Sequence, residues 1–384
     1  MVLAIFKKDQ DMKTKICEML GIDVPIFAFS HCRDVVVAAS KAGGMGVFGA
    51  EMFTPEQFEL ELKWIEENID GRPYGIDVVF PIKYQDMSAW KDAAIEDVIP
   101  ATHRDFVENL LNQHGVPHLP EGEEEEMIRE RLGRGRGTPV EAASMLEVAF
   151  SFSGVKLLVS AVGVPPRQAV ERAHRAGIKV AGMVGAVEHA QRQREVGADF
   201  VIAQGYEAGG HTGEIGTMVL TPTVVRAMGD FPVLAAGGIA SGRQMAAAMA
   251  MGAQGVWCGS VWLPTVESDL LPEVKAKLLA ARSQDTLRTR AYTGKTARVL
   301  KSAWSDAWEA EDAPKPLMRP LQHLLSRPAT RRIERARSNA LISTPVGQVV
   351  GQFQHELTVK QVYAEMISEF VDAVEGMTNL LESQ

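Results

Sequence analysis

At 384 residues the chain is long enough for one large α/β barrel with additions or for two ordinary domains. Hydrophobic residues at 46% and charged residues at 23% give the balance of a globular protein with a sizeable core, which excludes a disordered or fibrous chain. The formal net charge of −9 excludes a nucleic-acid footprint, because neutralising phosphates takes Lys and Arg clustered on a basic face.

The opening MVLAIFKKDQDMK has too short an apolar stretch for a signal peptide. No later run reaches the roughly 18 apolar residues of a membrane span, so a cytoplasmic protein without membrane attachment is expected. Short apolar runs, each closed by Gly, Pro or Ser, then recur: VPIFAF (24–29), MGVFG (45–49), YGIDVVF (74–80), VKLLVSA (155–161), IKVAGMV (178–184), ADFVIAQ (198–204), FPVLAAG (231–237) and QGVWCGS (254–260). They do not alternate strictly, which is the pattern of strands covered on both faces in a parallel sheet. Helical patterns such as PPRQAVERAHRAG (165–177) and SGRQMAAAMAMGA (241–253) lie between them, several ending in a capping glycine. Eight strands alternating with helices predict a (β/α)8 TIM barrel, with an open doubly wound sheet as runner-up.

The rhythm breaks from 81 to 150, where the acidic run EGEEEE (121–126) and GRGRG (133–137) lie. This segment reads as an insertion after the third strand, either a lid over the site or a solvated excursion. The barrel is therefore assigned to 1–80 and 151–265, and 266–384 to a mostly helical C-terminal extension packed on it. The arginine run from Arg327 to Arg337 reads first as a solvated helix face and second as a small anion site. Cys17, Cys32 and Cys258 show no CxxC or CxxH spacing, and His103, His114 and His118 lack ligand spacing, so neither a metal nor a disulfide is expected.

In a parallel barrel the chemistry sits at the carboxyl ends of the strands. After the sixth strand the chain reads Gln204-Gly205-Tyr206-Glu207-Ala208-Gly209-Gly210-His211-Thr212-Gly213. Glycines such as Gly209 and Gly210 let backbone pass close to a flat ligand and hold the His211 imidazole above it. Glu207 either orients the loop or stabilises a protonated partner. After the seventh strand come Ala236, Gly237 and Gly238, and after the eighth Gly259 and Ser260. These small residues expose backbone N–H groups beside the helix starting near Ser241, which suits a phosphate. Gly43-Gly44 reads as a plain turn. In the segment Phe29-Ser30-His31-Cys32-Arg33, His31 either binds substrate or joins the cap of the next helix.

The segments QGYEAGGHTG, VLAAGGIASG and GVWCGSVWL resemble the nitronate monooxygenase family of FMN-dependent (β/α)8 enzymes. The opening GIDVPIFAFS, the AGGMGVFG segment and the late TGKTARVLKS extend the resemblance over nearly the whole chain. It implies FMN as cofactor, His211 as catalytic base, Gln204 against the flavin, and Gly237, Gly238, Gly259 and Ser260 around its phosphate. Ala28 and Phe29 stand where the family carries a Pro-Met pair, and Asp77 where it carries an Asn, so these three also face the cofactor.

The segment AFSHCRDVVVAASKAGGMGVFGA is also similar to the actinobacterial steroid-catabolic subgroup of this superfamily. That likeness implies dehydrogenation of a CoA thioester of the hydrindane fragment, with His31, Arg33 and Glu207 against the substrate. Arg33, Arg288 and Arg298 each read first as a surface ion pair and second as a partner for a CoA phosphate. Nitronate oxidation with O2, enoyl-thioester reduction with NAD(P)H and a flavin-storing barrel without turnover are the alternatives. The partner is thus a small molecule, and the oligomeric state is open, a homodimer among the options.

Overall fold

The structure, a computed structural model, describes residues 14–80, 98–124, 126–127 and 139–382. Its centre is a closed barrel of eight parallel strands: β1 (Ile26–Ser30), β2 (Met45–Gly49), β3 (Tyr74–Val79), β4 (Val155–Val162), β5 (Lys179–Val184), β6 (Phe200–Gln204), β8 (Val233–Ala236) and β9 (Val256–Cys258). The ring closes where Phe27 of β1 lies opposite Trp257 of β9. Every sequence-predicted run became one of these strands. The runs carry apolar residues on both sides because both sides are covered, and all five residues of β2 are buried.

Phe27, Met45, Val47, Leu157, Val159, Ala181, Phe200, Ile202, Leu234, Ala236 and Trp257 form one cluster filling the barrel. Its amino end is plugged by Ile16, Cys17 and Leu20 of helix α1 (Lys15–Leu20). Thr14 caps that helix by accepting from the Cys17 amide, and Gly21 ends it in the left-handed conformation. The three cysteines are free and buried.

The outer ring begins with α2 (Arg33–Lys41) and α3 (Pro55–Asn68), the latter opened by a Thr54/Gln57 capping box with Pro55 in the first turn. Helix α4 (Ala101–Gln113) follows, then α5 (Pro139–Ala149). Met145, Leu146 and Ala149 of α5 join Phe58, Leu62 and Ile65 of α3 in one core, so α5 is the third helix of the barrel. Only the chain before it is an excursion, and the remainder of 81–150 belongs to the barrel.

The chain end is similar. Helix α13 (Val359–Glu382) packs Val362, Tyr363, Met366 and Ile367 against Val35 and Ala39 of α2 and Met245 of α9 (Gly242–Ala250). The Tyr363 hydroxyl donates to the Ile26 carbonyl at 3.1 Å, and the Tyr363 ring stacks on Trp262 at 5.3 Å. A side chain at Gly242 would strike the Met366 carbonyl, so the absence of one lets the two helices touch. The last helix therefore fills the eighth place in the ring. What reads as a C-terminal extension is an excursion, 263–358, between the eighth strand and the eighth helix.

Both excursions share a second core. Ile99, Val107, Leu110, Leu111 and Val116 pack with Trp304, Trp308, Leu324, Leu325, Ala329 and Ile333. Arg332, 4% exposed on helix α12 (Leu321–Ala336), reaches the Glu108 carboxylate at 2.6 and 3.2 Å and the carbonyls of Val116 and Pro117. Arg335 and Arg331 pair with Glu123 of the acidic run at 2.8 and 3.8 Å. The arginine run is thus not simply a solvated face, since its fourth-turn neighbour Arg332 points inward and clamps one excursion to the other. Arg332 holds the Glu108 carboxyl below the usual range, so the link persists at neutral pH and weakens as pH falls through that lowered value. Glu108→Ala leaves Arg332 enclosed without its carboxylate and is expected to cost roughly 3 kcal/mol. An unchanged denaturation midpoint in that variant would show that the clamp does not hold the excursions together.

Among the described residues no group of three or more His, Cys, Asp or Glu side chains could hold a metal ion, and no helix is long and apolar enough to cross a membrane.

Candidate active site

The inward-facing positions at the carboxyl ends of the strands define the mouth of the barrel. Strand alternation fixes them. Phe200 and Ile202 are interior, so Gln204 faces inward one step nearer the mouth. A Cβ at Gly75 would meet Val47 and Leu157 of the interior, so Asp77, two residues on, faces the same way. Phe29 stacks on Trp257 at 5.7 Å, and Ala236 belongs to the interior cluster. Phe29, Asp77, Gln204 and Ala236 are thus brought together. Ala28 is not among them, because its side chain points outward into the helix layer beside Val35. Only its backbone is available to a ligand.

The turn after β8 holds Gly237 and Gly238 with φ of +89° and +71°, a conformation that favours glycine and leaves the backbone amides there without flanking side chains. It leads into α9, whose first turn is capped by Ser241. Across from it, the Ser260 hydroxyl oxygen accepts the Gly347 amide at 2.8 Å, leaving its hydrogen to donate elsewhere. This donor set, backbone amides with one hydroxyl at a helix start, fits a phosphate.

The segment around Gly347 carried no signal in the sequence. The Gln348 amide donates to the Glu207 carbonyl at 2.9 Å and Pro345 bridges to Val299, so it laces the His211 loop to the turn of Gly259 and Ser260. A side chain at Gly209 would lie 2.7 Å from the Val346 backbone, and Gly209 therefore allows this approach.

His211 is built into a small second sheet. Gly210–His211 form a two-residue strand, β7, beside β11 (Ala297–Leu300), which pairs with β10 (Thr286–Thr289). His211 lies opposite Ala297 and Gly210 opposite Arg298. The late TGKTAR segment is therefore the hairpin that holds the loop. The imidazole Nδ1 lies 3.0 Å from the Thr296 carbonyl, which can only accept, so Nδ1 carries the hydrogen. In the neutral ring Nε2 is then the free base, with the Thr293 hydroxyl at 3.4 Å beside it. Water reaches this ring, yet protein surrounds it on most sides, and the loss of bulk solvent holds its basicity below the ordinary histidine range. Lys295 and Arg319 act in the same direction, while the Thr296 carbonyl and Glu51 oppose it.

Glu207 is turned away from this space. Its carboxylate accepts the Thr217 amide at 2.9 and 3.2 Å and the Thr217 hydroxyl at 2.9 Å, at the start of α8 (Thr217–Met228). It orients the loop rather than reaching a substrate. Arg33 is likewise engaged, with Glu61 at 3.4 Å and stacked over Trp64 at 4.3 Å. Arg288 makes two bonds to Glu214, and buried Arg298 donates to the Tyr206 carbonyl and the Thr286 hydroxyl. Their guanidiniums lie 4.5 and 4.7 Å from the Tyr206 ring, which ties both to the loop scaffold. His31 is exposed, with Nδ1 3.0 Å from the Gly49 carbonyl and its ring edge-on to Phe29. The Ser30 hydroxyl, meanwhile, accepts from the Cys32 amide at the helix start.

Two charged residues of the mouth escaped the sequence reading. Glu51, in the short helix Ala50–Met52 after β2, lies 3.6 Å from Arg319 of the second excursion. Its charge acts on both Asp77 and His211, disfavouring the ionised acid and favouring the protonated imidazole.

A parallel barrel with a glycine turn that fits a phosphate, beside an oriented imidazole, is the arrangement of a flavin-type oxidoreductase. A family model described as "Nitronate monooxygenase" matches residues 14–369, and the chain belongs to that family. It is 45% identical over 382 residues to "Putative monooxygenase Rv1533" of Mycobacterium tuberculosis, covering 97% of this chain and 100% of that one. A "Probable nitronate monooxygenase" of Staphylococcus saprophyticus is 30% identical over 76% of this chain and 79% of its own length. Among solved structures, a nitroalkane oxidase from Streptomyces ansochromogenes superposes with a TM-score of 0.77 at 26% identity, over 94% of this chain and 99% of that one. FabK from Thermotoga maritima gives 0.72 at 26% identity, over 96% and 99%.

Proposed function

We propose that the protein binds FMN at the mouth of the barrel and oxidises carbon acids, substrates whose C–H bond is acidified by a neighbouring nitro or thioester group. The observation that carries this reading is the fixed tautomer of His211, which leaves an unprotonated Nε2 on an exposed imidazole in the loop after β6, at the mouth of the barrel. Bound FMN would supply the acceptor for the electrons released at carbon.

Gly237 and Gly238, with the Ser260 hydroxyl, would hold its phosphate. Gln204 and Phe29 would meet its rings, and Gly209 and Gly210 let the loop pass close. His211 removes the proton at Nε2, and the imidazolium so formed keeps its Nδ1–H on the Thr296 carbonyl. Glu207 holds the loop through Thr217 during this exchange.

Within this class we assign the chain to dehydrogenation of a CoA thioester of a hydrindane fragment, a reading supported by the SHCRD segment. Nitronate oxidation is the second reading, favoured by the family and by the fact that Arg33, Arg288 and Arg298 are already occupied. Anaerobic mixing separates them. The thioester assignment requires that a bulky saturated acyl-CoA bleaches the flavin while an alkyl nitronate does not, and the reverse result replaces it with nitronate oxidation. Rapid bleaching by NADH alone would instead point to enoyl-thioester reduction. A purified protein that neither carries nor takes up a flavin would remove all of these readings together.

A further inference from the structure

Asp77 is an acidic group facing the barrel mouth whose hydrogen-bonding capacity the chain leaves partly unfilled. It is 4% exposed, and its Oδ1 has no hydrogen-bond partner. The Ala161 amide reaches its carboxyl group, and the charge acting on it is the Glu51 carboxylate, of the same sign. An ionised Asp77 would be both desolvated and repelled. A neutral acid avoids both costs, and it has one O–H to donate and one oxygen to accept with. With the Ala161 backbone beside the carboxyl group, the unpartnered Oδ1 of this inward-facing side chain is the oxygen left to carry the donor.

We propose that Asp77 is held as a neutral carboxylic acid and donates a hydrogen bond from its unpaired oxygen to an acceptor of the FMN ring system, an inference that rests on the FMN reading above. A group this enclosed suits a resident cofactor better than a substrate exchanged at every turnover. Burial and the Glu51 charge both push its carboxyl well above the usual range, in keeping with this state. Asparagine has the same shape and also offers one donor beside one acceptor, so it imitates the neutral acid and not the carboxylate.

Infrared difference spectra and FMN titrations of the apo-protein, its Asp77→Asn form and its Asp77→Ala form test this. At neutral pH the native protein should show a protonated carboxyl band that is missing from Asp77→Asn and moves to lower frequency when FMN is added. Asp77→Asn should bind FMN within about twofold of native, and Asp77→Ala roughly fivefold more weakly, the worth of one hydrogen bond. A carboxylate signature at Asp77, a carboxyl band that FMN leaves in place, or an undiminished FMN affinity in Asp77→Ala would overturn the proposal while leaving FMN binding intact. Failure of the native protein to bind FMN is seen before any variant is compared, and it would overturn the FMN reading and this one together.

Discussion

His211→Ala should lower kcat by about 10²–10⁴-fold while the protein stays folded and keeps its flavin, the range expected when a positioned general base is lost. The ring is anchored through a backbone carbonyl, so its removal leaves the hairpin of Thr296 intact. Loop position depends instead on the ladder to β11, on Glu207 with Thr217, and on Gln348. The pH profile gives a second measure. Only the neutral imidazole can take a proton, and desolvation in the folded protein lowers its affinity for one. The acidic limb of kcat/KM should therefore fall below the ordinary histidine value of about 6.5, with activity lost as pH drops through it. This limb should vanish in His211→Ala. Near-native turnover in the variant, or an unmoved acidic limb, would transfer the role of base to another group.

The barrel was legible because its strands are covered on both faces, so runs such as Met45–Gly49 and Phe200–Gln204 announce themselves by composition alone. The glycine turn after β8 was legible because glycine is the residue that tolerates two successive positive φ values, and Gly237-Gly238 falls at a strand end. Helix α13 was harder to place, because its partners α2 and α9 are far away in the chain and its pattern is that of any amphipathic helix. Arg332 misleads for a related reason. A charged residue in a run of charges looks solvated until Glu108 and two carbonyls from another segment close around it.

The partners of His211 left still less trace. Nδ1 is held by a carbonyl, a group that every residue carries, and the strand containing the histidine is two residues long. The TGKTAR segment could have marked the hairpin through its turn glycine, Gly294, with φ of +75°, but nothing in the residue types says that it closes on the sixth strand's loop. Glu207 shows the opposite failure. Its charge and its place beside His211 suggest chemistry, and the structure spends that charge on the first amide of α8, a common role for a carboxylate at a helix start.

Gly237→Ala should uncouple phosphate recognition from ring recognition. At φ +89° an alanine carries the strain of the left-handed region, of order 1–2 kcal/mol. Its Cβ would also lie 2.9 Å from the Gly205 carbonyl, a backbone atom that cannot swing aside as a side chain would. The turn must move to relieve this contact, and its amides move with it. FMN affinity should fall about tenfold or more, corresponding to at least roughly 1.4 kcal/mol. Riboflavin, which has the same rings without the phosphate, should lose far less. Gly43→Ala is the matching control, with φ +97° and Asp23 against its new Cβ at the other end of the barrel. It should lower the melting temperature without changing the ratio of FMN to riboflavin affinity. If Gly237→Ala instead weakens both ligands equally, the turn supports the barrel wall and the phosphate is held elsewhere.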